Sequence, residues 1–377
     1  MKIALLSPFY SQNYGTVLQA FALAKVIKDL GIDCEYLNWR RCPPSLFSQL
    51  LFFIKHPTFA YFLFKKRRLK SKDLNYSFLS EPDYQTILSK NKKFVDRYTP
   101  FTDKMYYLDT FKYSSNLYDK FIVGSDQTWS TQDIYRFSPY YLDFLKENKK
   151  KNAYACSIGT NVLPSSYLNY ISKRLKNFSR VSCREQGNSK ILSDSTGRCV
   201  KNVVDPTLLI NGDQWKECFQ PMNITEKYIL CYRLGERSCV NEYAEYLSRK
   251  KKLPVYYIET RPTSNNSKNV LHGIGVQEFL WLIMNSSYMV TDSYHGTIFS
   301  LNFNREVFAF DKFDKKFEKT SDNGRIFDLL LSYGIENHFF NDYDEIIPNK
   351  IDFLRVNNLL ENNRNESLDF LKSVIYK

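Results

Sequence analysis

Residues 2–37 read KIALLSPFYSQNYGTVLQAFALAKVIKDLGIDCEYL, and this stretch decides the fold. Lys2 to Ser7 is a short apolar run closed by Pro8, as expected of a buried strand. Leu23, Val26, Ile27 and Leu30 then recur at i, i+3, i+4 and i+7, which predicts a helix stopping at Gly31. Ile32 to Leu37 reads as a second strand. Strand, helix and strand in succession imply parallel pairing, because parallel neighbours need a crossover connection.

The same alternation returns downstream. Phe121–Val123, Ala153–Ser157, Arg180–Cys183 and Val200–Val204 read as further strands of a first unit. Tyr228–Tyr232, Val255–Ile258, Tyr288–Thr291 and Val307–Phe310 read as strands of a second, with helical spacing between them, notably at Val276–Met284. The predicted class is α/β, with two doubly wound Rossmann-like domains facing a cleft. The expected boundaries are 1–215 and 216–350, joined near Asn211–Thr225. Residues 351–377 form a terminal segment whose helix, Asn365–Tyr376, is expected to pack back on the first domain.

Composition narrows the possibilities. With 377 residues, 43% apolar and 25% charged, the chain has ordinary globular values, which excludes collagenous and low-complexity readings. Only 13 glycines disfavour a fold with several glycine-rich coenzyme loops, and a net charge of +13 favours anionic partners. The eight cysteines contain no C-x-x-C pair, so they read as reduced packing thiols of a cytoplasmic protein. MKIALLSPFY lacks a signal-peptide pattern, and no run of about 20 apolar residues spans a bilayer.

Residues 46–70 break the rhythm, with LFSQLLFFIKHPTFAYFLF followed by KKRRLK. Two readings stand: an aromatic–basic insert touching the inner face of the membrane, or a hairpin packed on the first domain with Lys65, Lys66, Arg67 and Arg68 solvated.

Doubly wound sheets collect ligands beyond the carboxyl ends of their strands, so residues placed there are the site candidates. Asn13, Tyr14 and Gly15 fall between the first strand and first helix, either as a polar-ligand loop or as a tight turn. Asp126 closes FIVGSD as a base for a sugar hydroxyl or as a helix cap, and Trp129 is a sugar platform or core. S-C-R-E at 182–185 has the capping-box pattern and puts Arg184 in a first helical turn. There it either holds an anion or bonds Glu185. Arg233 occupies the corresponding strand end in the second unit. His295, in D-S-Y-H-G-T at 292–297, is the best proton-transfer candidate among four histidines. Lys312 and Arg325 are further cations available to an anion pocket, and no cluster has metal-ligand spacing.

Taken in order, NYGTVLQAFAL, FIVGSDQTW, YACSIGT, VSCREQG, VVDPTLL, DSYHGTIFSLNF and GRIFDLL resemble the polysaccharide pyruvyltransferase family. The resemblance implies a GT-B-like architecture. It also implies transfer of a pyruvyl group from phosphoenolpyruvate to a sugar of a surface or capsular glycan precursor, as a cyclic ketal, without a cofactor. On that resemblance His295 supplies the proton, while Arg184 and Arg233 clamp the donor, with Lys312 or Arg325 assisting the leaving phosphate. Asp126, Asn13, Tyr14 and Gly15 are assigned to catalysis and acceptor binding by loop position. A lipid-linked oligosaccharide is a natural acceptor for a protein at the membrane. The nearest rival is a GT-B glycosyltransferase with a nucleotide-sugar donor. A nucleic-acid-binding reading explains the charge but leaves His295 unused.

Overall fold

The computed structural model describes residues 1–39, 54, 81–108, 110–130, 138–160, 163–235, 237–259, 269–312 and 324–376. Apart from Ile54, the 46–70 insert lies outside the described residues, and so do both readings of it.

Two six-stranded sheets, parallel throughout, organise the chain. The first contains β1 (Lys2–Leu6), β2 (Asp33–Tyr36), β3 (Lys120–Val123), β4 (Lys151–Cys156), β5 (Arg180–Cys183) and β6 (Lys201–Asn202) in the order β2-β1-β3-β4-β5-β6. The second contains β7 (Ile229–Arg233), β8 (Val255–Glu259), β9 (Val270–Leu271), β10 (Tyr288–Thr291), β11 (Glu306–Phe310) and β12 (Phe339–Phe340) in the order β12-β11-β10-β7-β8-β9. Both orders reverse once, between β1 and β3 and between β7 and β10, and ligands of doubly wound sheets bind at such switch points.

The central strands are buried on both faces, which explains their near-continuous apolar runs. The first helix, Tyr14–Asp29, is buried from Tyr14 through Ala24, and the small residues of AFALA admit close neighbours on several sides. One apolar core runs across both units, joining Phe21 of this helix to Trp215 and Trp215 to Phe299 through ring contacts at 5.5 and 5.1 Å. The sequence reading places the last helix at Asn365, but it starts at Phe353, because Asp352 caps the N–H groups of Leu354 and Arg355. It lies against the first sheet, where Ser367 Oγ accepts from Val204 N at 3.0 Å and the Val374 carbonyl accepts from Lys120 Nζ at 2.8 Å. Among the described residues, no helix is long and apolar enough to cross a membrane.

Candidate active site

A cavity of about 270 Å³ sits between the two switch points. Asn13 and Thr16 reach it from the segment after β1, Asp126 and Gln127 from that after β3, and Leu234 from that after β7. The segment after β10 contributes Asp292, Ser293, Tyr294 and His295, while Arg184, Lys312 and Arg325 complete the walls. Side chains as far apart in sequence as Asn13 and Arg325 thus converge because both chain reversals point at one space.

His295 enters from the helix Tyr294–Asn302, whose start is capped by Ser293 Oγ accepting from Gly296 N at 3.2 Å. Its ring rests on Gly15, where an added Cβ would stand 1.9 Å from His295 Nδ1. Glycine at 15 is therefore a steric requirement of the imidazole. Gly15 N–H is already taken by Asn13 Oδ1 at 3.0 Å, so Asn13 works as a helix cap. His295 Nε2 is buried without a hydrogen-bond partner and lies 3.7 Å from Asp205 Oδ2, beyond hydrogen-bond length but close enough for strong electrostatic coupling.

Asp205 is the hub that sequence reasoning missed. Its Oδ1 accepts from Thr207 N and Thr207 Oγ1 at 3.1 and 2.8 Å, and its Oδ2 accepts from Arg184 Nη1 at 2.7 Å and Ser125 Oγ at 3.3 Å. Burial pushes this carboxyl up, yet the His295 imidazole, Arg184 and the Thr207 N–H outweigh it and hold Asp205 well below the ordinary carboxylate range. The only local sign was Asp-Pro in VVDPTLL, which reads as an N-cap with proline at N1. Nothing in sequence reveals that the second carboxylate oxygen faces a histidine some ninety residues on.

Arg184 is enclosed by carboxylates. With a side chain 1% exposed, it reaches Asp205 at 2.7 Å, Glu185 at 3.4 Å and Asp126 at 3.5 Å. The capping box expected at Ser182–Glu185 does not form. The helix begins at Gln186, and Ser182 remains in β5, bonded to Ala153 O and Ala155 N of β4. Glu185 instead accepts from Ser157 Oγ, so Arg184 precedes the helix and points back into the cavity. Asp126, with φ of 70°, does not cap a helix through its carboxylate. That group accepts from Thr16 Oγ1 at 2.8 Å and faces Arg184. Burial raises it, but Arg184, His295 and Thr16 hold it below its ordinary value.

On the opposite wall, Asp292 accepts from Leu234 N and Gly235 N, both at 2.6 Å. These N–H groups border the switch point of the second sheet, where a nucleotide phosphate would sit in a dinucleotide fold, and a side-chain carboxylate already occupies them. Burial raises the Asp292 carboxyl, opposed by Lys312, the two N–H groups and Arg233. Gln127, with its amide oxygen toward Arg325, accepts from both terminal nitrogens at 2.9 and 3.1 Å.

Of the sequence candidates, Asn13, Asp126, Arg184, His295, Lys312 and Arg325 line one cavity. Arg233 does not; it ends β7 outside the lining and donates to Arg237 O at 3.2 Å. Tyr14 lies in the junction between units, stacked on Phe279 at 4.4 Å with its hydroxyl donating to Ile274 O at 2.8 Å. Trp129 is core, buried with its Nε1 bonded to Tyr140 O. Thr16, Gln127 and Tyr294 joined the cavity without a sequence signal. Among the described residues, no three His, Cys, Asp or Glu side chains are grouped to hold a metal ion.

A buried imidazole beside a carboxylate, with further cations around one small space, suits proton transfer to a compact anion. Comparison with solved structures finds the UDP-GlcNAc 2-epimerase of Methanocaldococcus jannaschii at 11% identity, covering 96% of this chain and 92% of that one, with a TM-score of 0.47. A putative UDP-N-acetylglucosamine 2-epimerase from Listeria monocytogenes matches at 10% identity, 95% and 94% coverage and a TM-score of 0.45. An E. coli heptosyltransferase with ADP matches at 10%, 96% and 100% coverage and a TM-score of 0.38. No curated protein matches the sequence. The family model described as polysaccharide pyruvyl transferase matches residues 13–311, from the Asn13 cap through the Arg184 cluster, Asp205 and His295 to Asp311. The chain therefore belongs to the polysaccharide pyruvyl transferase family.

Proposed function

We propose that this enzyme moves a pyruvyl group from phosphoenolpyruvate to a sugar of a surface or capsular polysaccharide precursor, forming a cyclic ketal and releasing phosphate. The acceptor is a glycan precursor, lipid-linked at the inner face of the cell membrane. The observation that carries the reading is His295, which lines the cavity between the switch points together with Lys312 and Arg325 while its Nε2 lies 3.7 Å from Asp205 Oδ2.

In this scheme Lys312 and Arg325 face the carboxylate and phosphate of the donor. His295 delivers a proton to the methylene carbon, and one sugar hydroxyl adds to the central carbon. Loss of phosphate and attack of the second hydroxyl close the ring. One hydroxyl proton thus ends in the new methyl group and the other on phosphate. Asp205 Oδ2, 3.7 Å from Nε2, fixes the orientation of the imidazole. Asp126, held ionised beside Arg184, accepts a hydrogen bond from the incoming hydroxyl. Arg184 keeps both carboxylates charged, a role its burial among them suits better than direct capture of the donor. Arg233, outside the cavity, has no part in this scheme. Asp292 on the N–H groups after β7 weighs against a nucleotide-sugar donor.

The test is incubation of purified protein with phosphoenolpyruvate and a lipid-linked oligosaccharide extract. Phosphate release with a pyruvyl mass gain on the glycan is expected. Nucleotide release from a nucleotide sugar, with phosphoenolpyruvate inert, would overturn the reading.

A further inference from the structure

A second cavity, of about 560 Å³, adjoins the first. It runs between the β6 region and the helices Gly324–Ser332 and Phe353–Tyr376. Arg184, Tyr294 and Arg325 line both cavities. Two guanidinium carbons, of Arg184 and Arg325, lie 4.8 and 5.7 Å from the centre of the Tyr294 ring, so the partition is a tyrosine held by two cations.

We propose that the second cavity holds the acceptor sugar and that the Arg184–Tyr294–Arg325 partition is where acceptor and donor meet. The assignment rests on the pyruvyl-transfer reading above. Size is the first argument. About 270 Å³ suits a three-carbon phosphate and the hydroxyls that react with it but is small for a whole sugar as well, whereas about 560 Å³ falls within the usual range of ligand pockets. Chemistry is the second. Gln186, Asn202 and Asn363 bring amides that donate and accept, matching hydroxyls that do both. Asp328 and Glu366 set carboxylates against Lys201, and Lys201 pairs with Glu366 at 3.0 Å. That mixture gives no cationic field for a phosphate-rich ligand, yet suits a neutral polyol.

The cavity carries its own reporter. Cys199 lines it and is exposed, while the other cysteines among the described residues are buried. In full-length protein with Cys42→Ser, modification of Cys199 by N-ethylmaleimide is followed by mass spectrometry. Lactose, N,N′-diacetylchitobiose, mannobiose and phosphoenolpyruvate are added separately, and phosphoenolpyruvate affinity is measured by calorimetry. At least one disaccharide should slow labelling, about tenfold at about ten times its Kd, while phosphoenolpyruvate leaves the rate unchanged. Gln186→Trp, at an exposed lining position, should remove sugar protection without changing phosphoenolpyruvate affinity. Asn202→Phe replaces it should that variant fail to fold. Three inert disaccharides with phosphoenolpyruvate still binding would overturn the acceptor cavity and leave the donor reading intact. Protection by phosphoenolpyruvate, or protection that survives the blocking variant, would overturn it equally. Sugar protection without any phosphoenolpyruvate binding would keep the sugar site and sink the pyruvyl-transfer reading instead.

Discussion

After β1, Asn13 Oδ1 takes the N–H of Gly15 at 3.0 Å; after β10, Ser293 Oγ takes the N–H of Gly296 at 3.2 Å. Locally these junctions are the same device, a polar cap and a nearby glycine starting a buried helix. Their side chains differ in purpose. The first junction removes bulk at Gly15, and the second fills that vacancy with the ring of His295. Neither half would look functional alone. The site between two similar units exists here because one side is a socket and the other a plug.

Loss of the plug should do the most damage. His295→Ala should lower turnover by about 10²- to 10⁴-fold in a phosphate-release assay while the protein still folds; near-normal turnover would strip the imidazole of its proton role. Next in size is the charge cluster both junctions face. Arg184→Met leaves buried carboxylates uncompensated and should cost about 3–5 kcal/mol in urea unfolding, against about 0.5 kcal/mol for Arg233→Ala outside the cavity. Equal losses would erase the distinction between these two strand-end arginines.

The same cluster sets a pH dependence. Asp126 and Asp205 are both held below their ordinary values, so their stabilisation is present above an unfolded pKa of about 3.9 and is lost as pH falls toward the folded values. Arg184→Met should flatten that acid loss, which pH-resolved melting would reveal.

At the socket, Gly15→Ala should cost about 1–3 kcal/mol by overpacking, and the cost should vanish in a His295→Ala background. A penalty unchanged by removing the ring would place the strain elsewhere. Smallest are the caps: Asn13→Ala and Ser293→Ala should each cost about 1 kcal/mol. Only the second should also slow turnover markedly, since it bears on the helix that presents His295.

Much of the architecture was legible because parallel strands buried on both faces announce themselves as apolar runs. Arg180–Cys183 and Tyr288–Thr291 match residue for residue. Val270–Leu271 and Phe339–Phe340 escaped because two-residue edge strands carry no periodicity. Glu81–Tyr98 escaped because its exposed lysines dilute the apolar stripe. For the site, strand-end logic brought forward five residues that do share a cavity, including His295 and Asp126, and Arg325 came forward as a cation opening a helix. It treated Arg184 and Arg233 alike, because the carboxylates that separate them, above all Asp205, arrive from other elements. It missed Asp205 since a capping aspartate before proline already has a sufficient local explanation.

Tyr14 bears on how substrates enter. A phenol from the first unit is clasped by Phe279 and Tyr232 of the second and tied to the Ile274 carbonyl, alongside the Lys90–Glu278 ion pair at 2.6 Å. Hinging the lobes apart would pull several aromatic contacts out of a buried seam. Any opening of the two units about this seam therefore has to give up the Tyr14 ring contacts and its hydrogen bond to Ile274 together, which places an energetic cost on hinge motion at that end of the cleft.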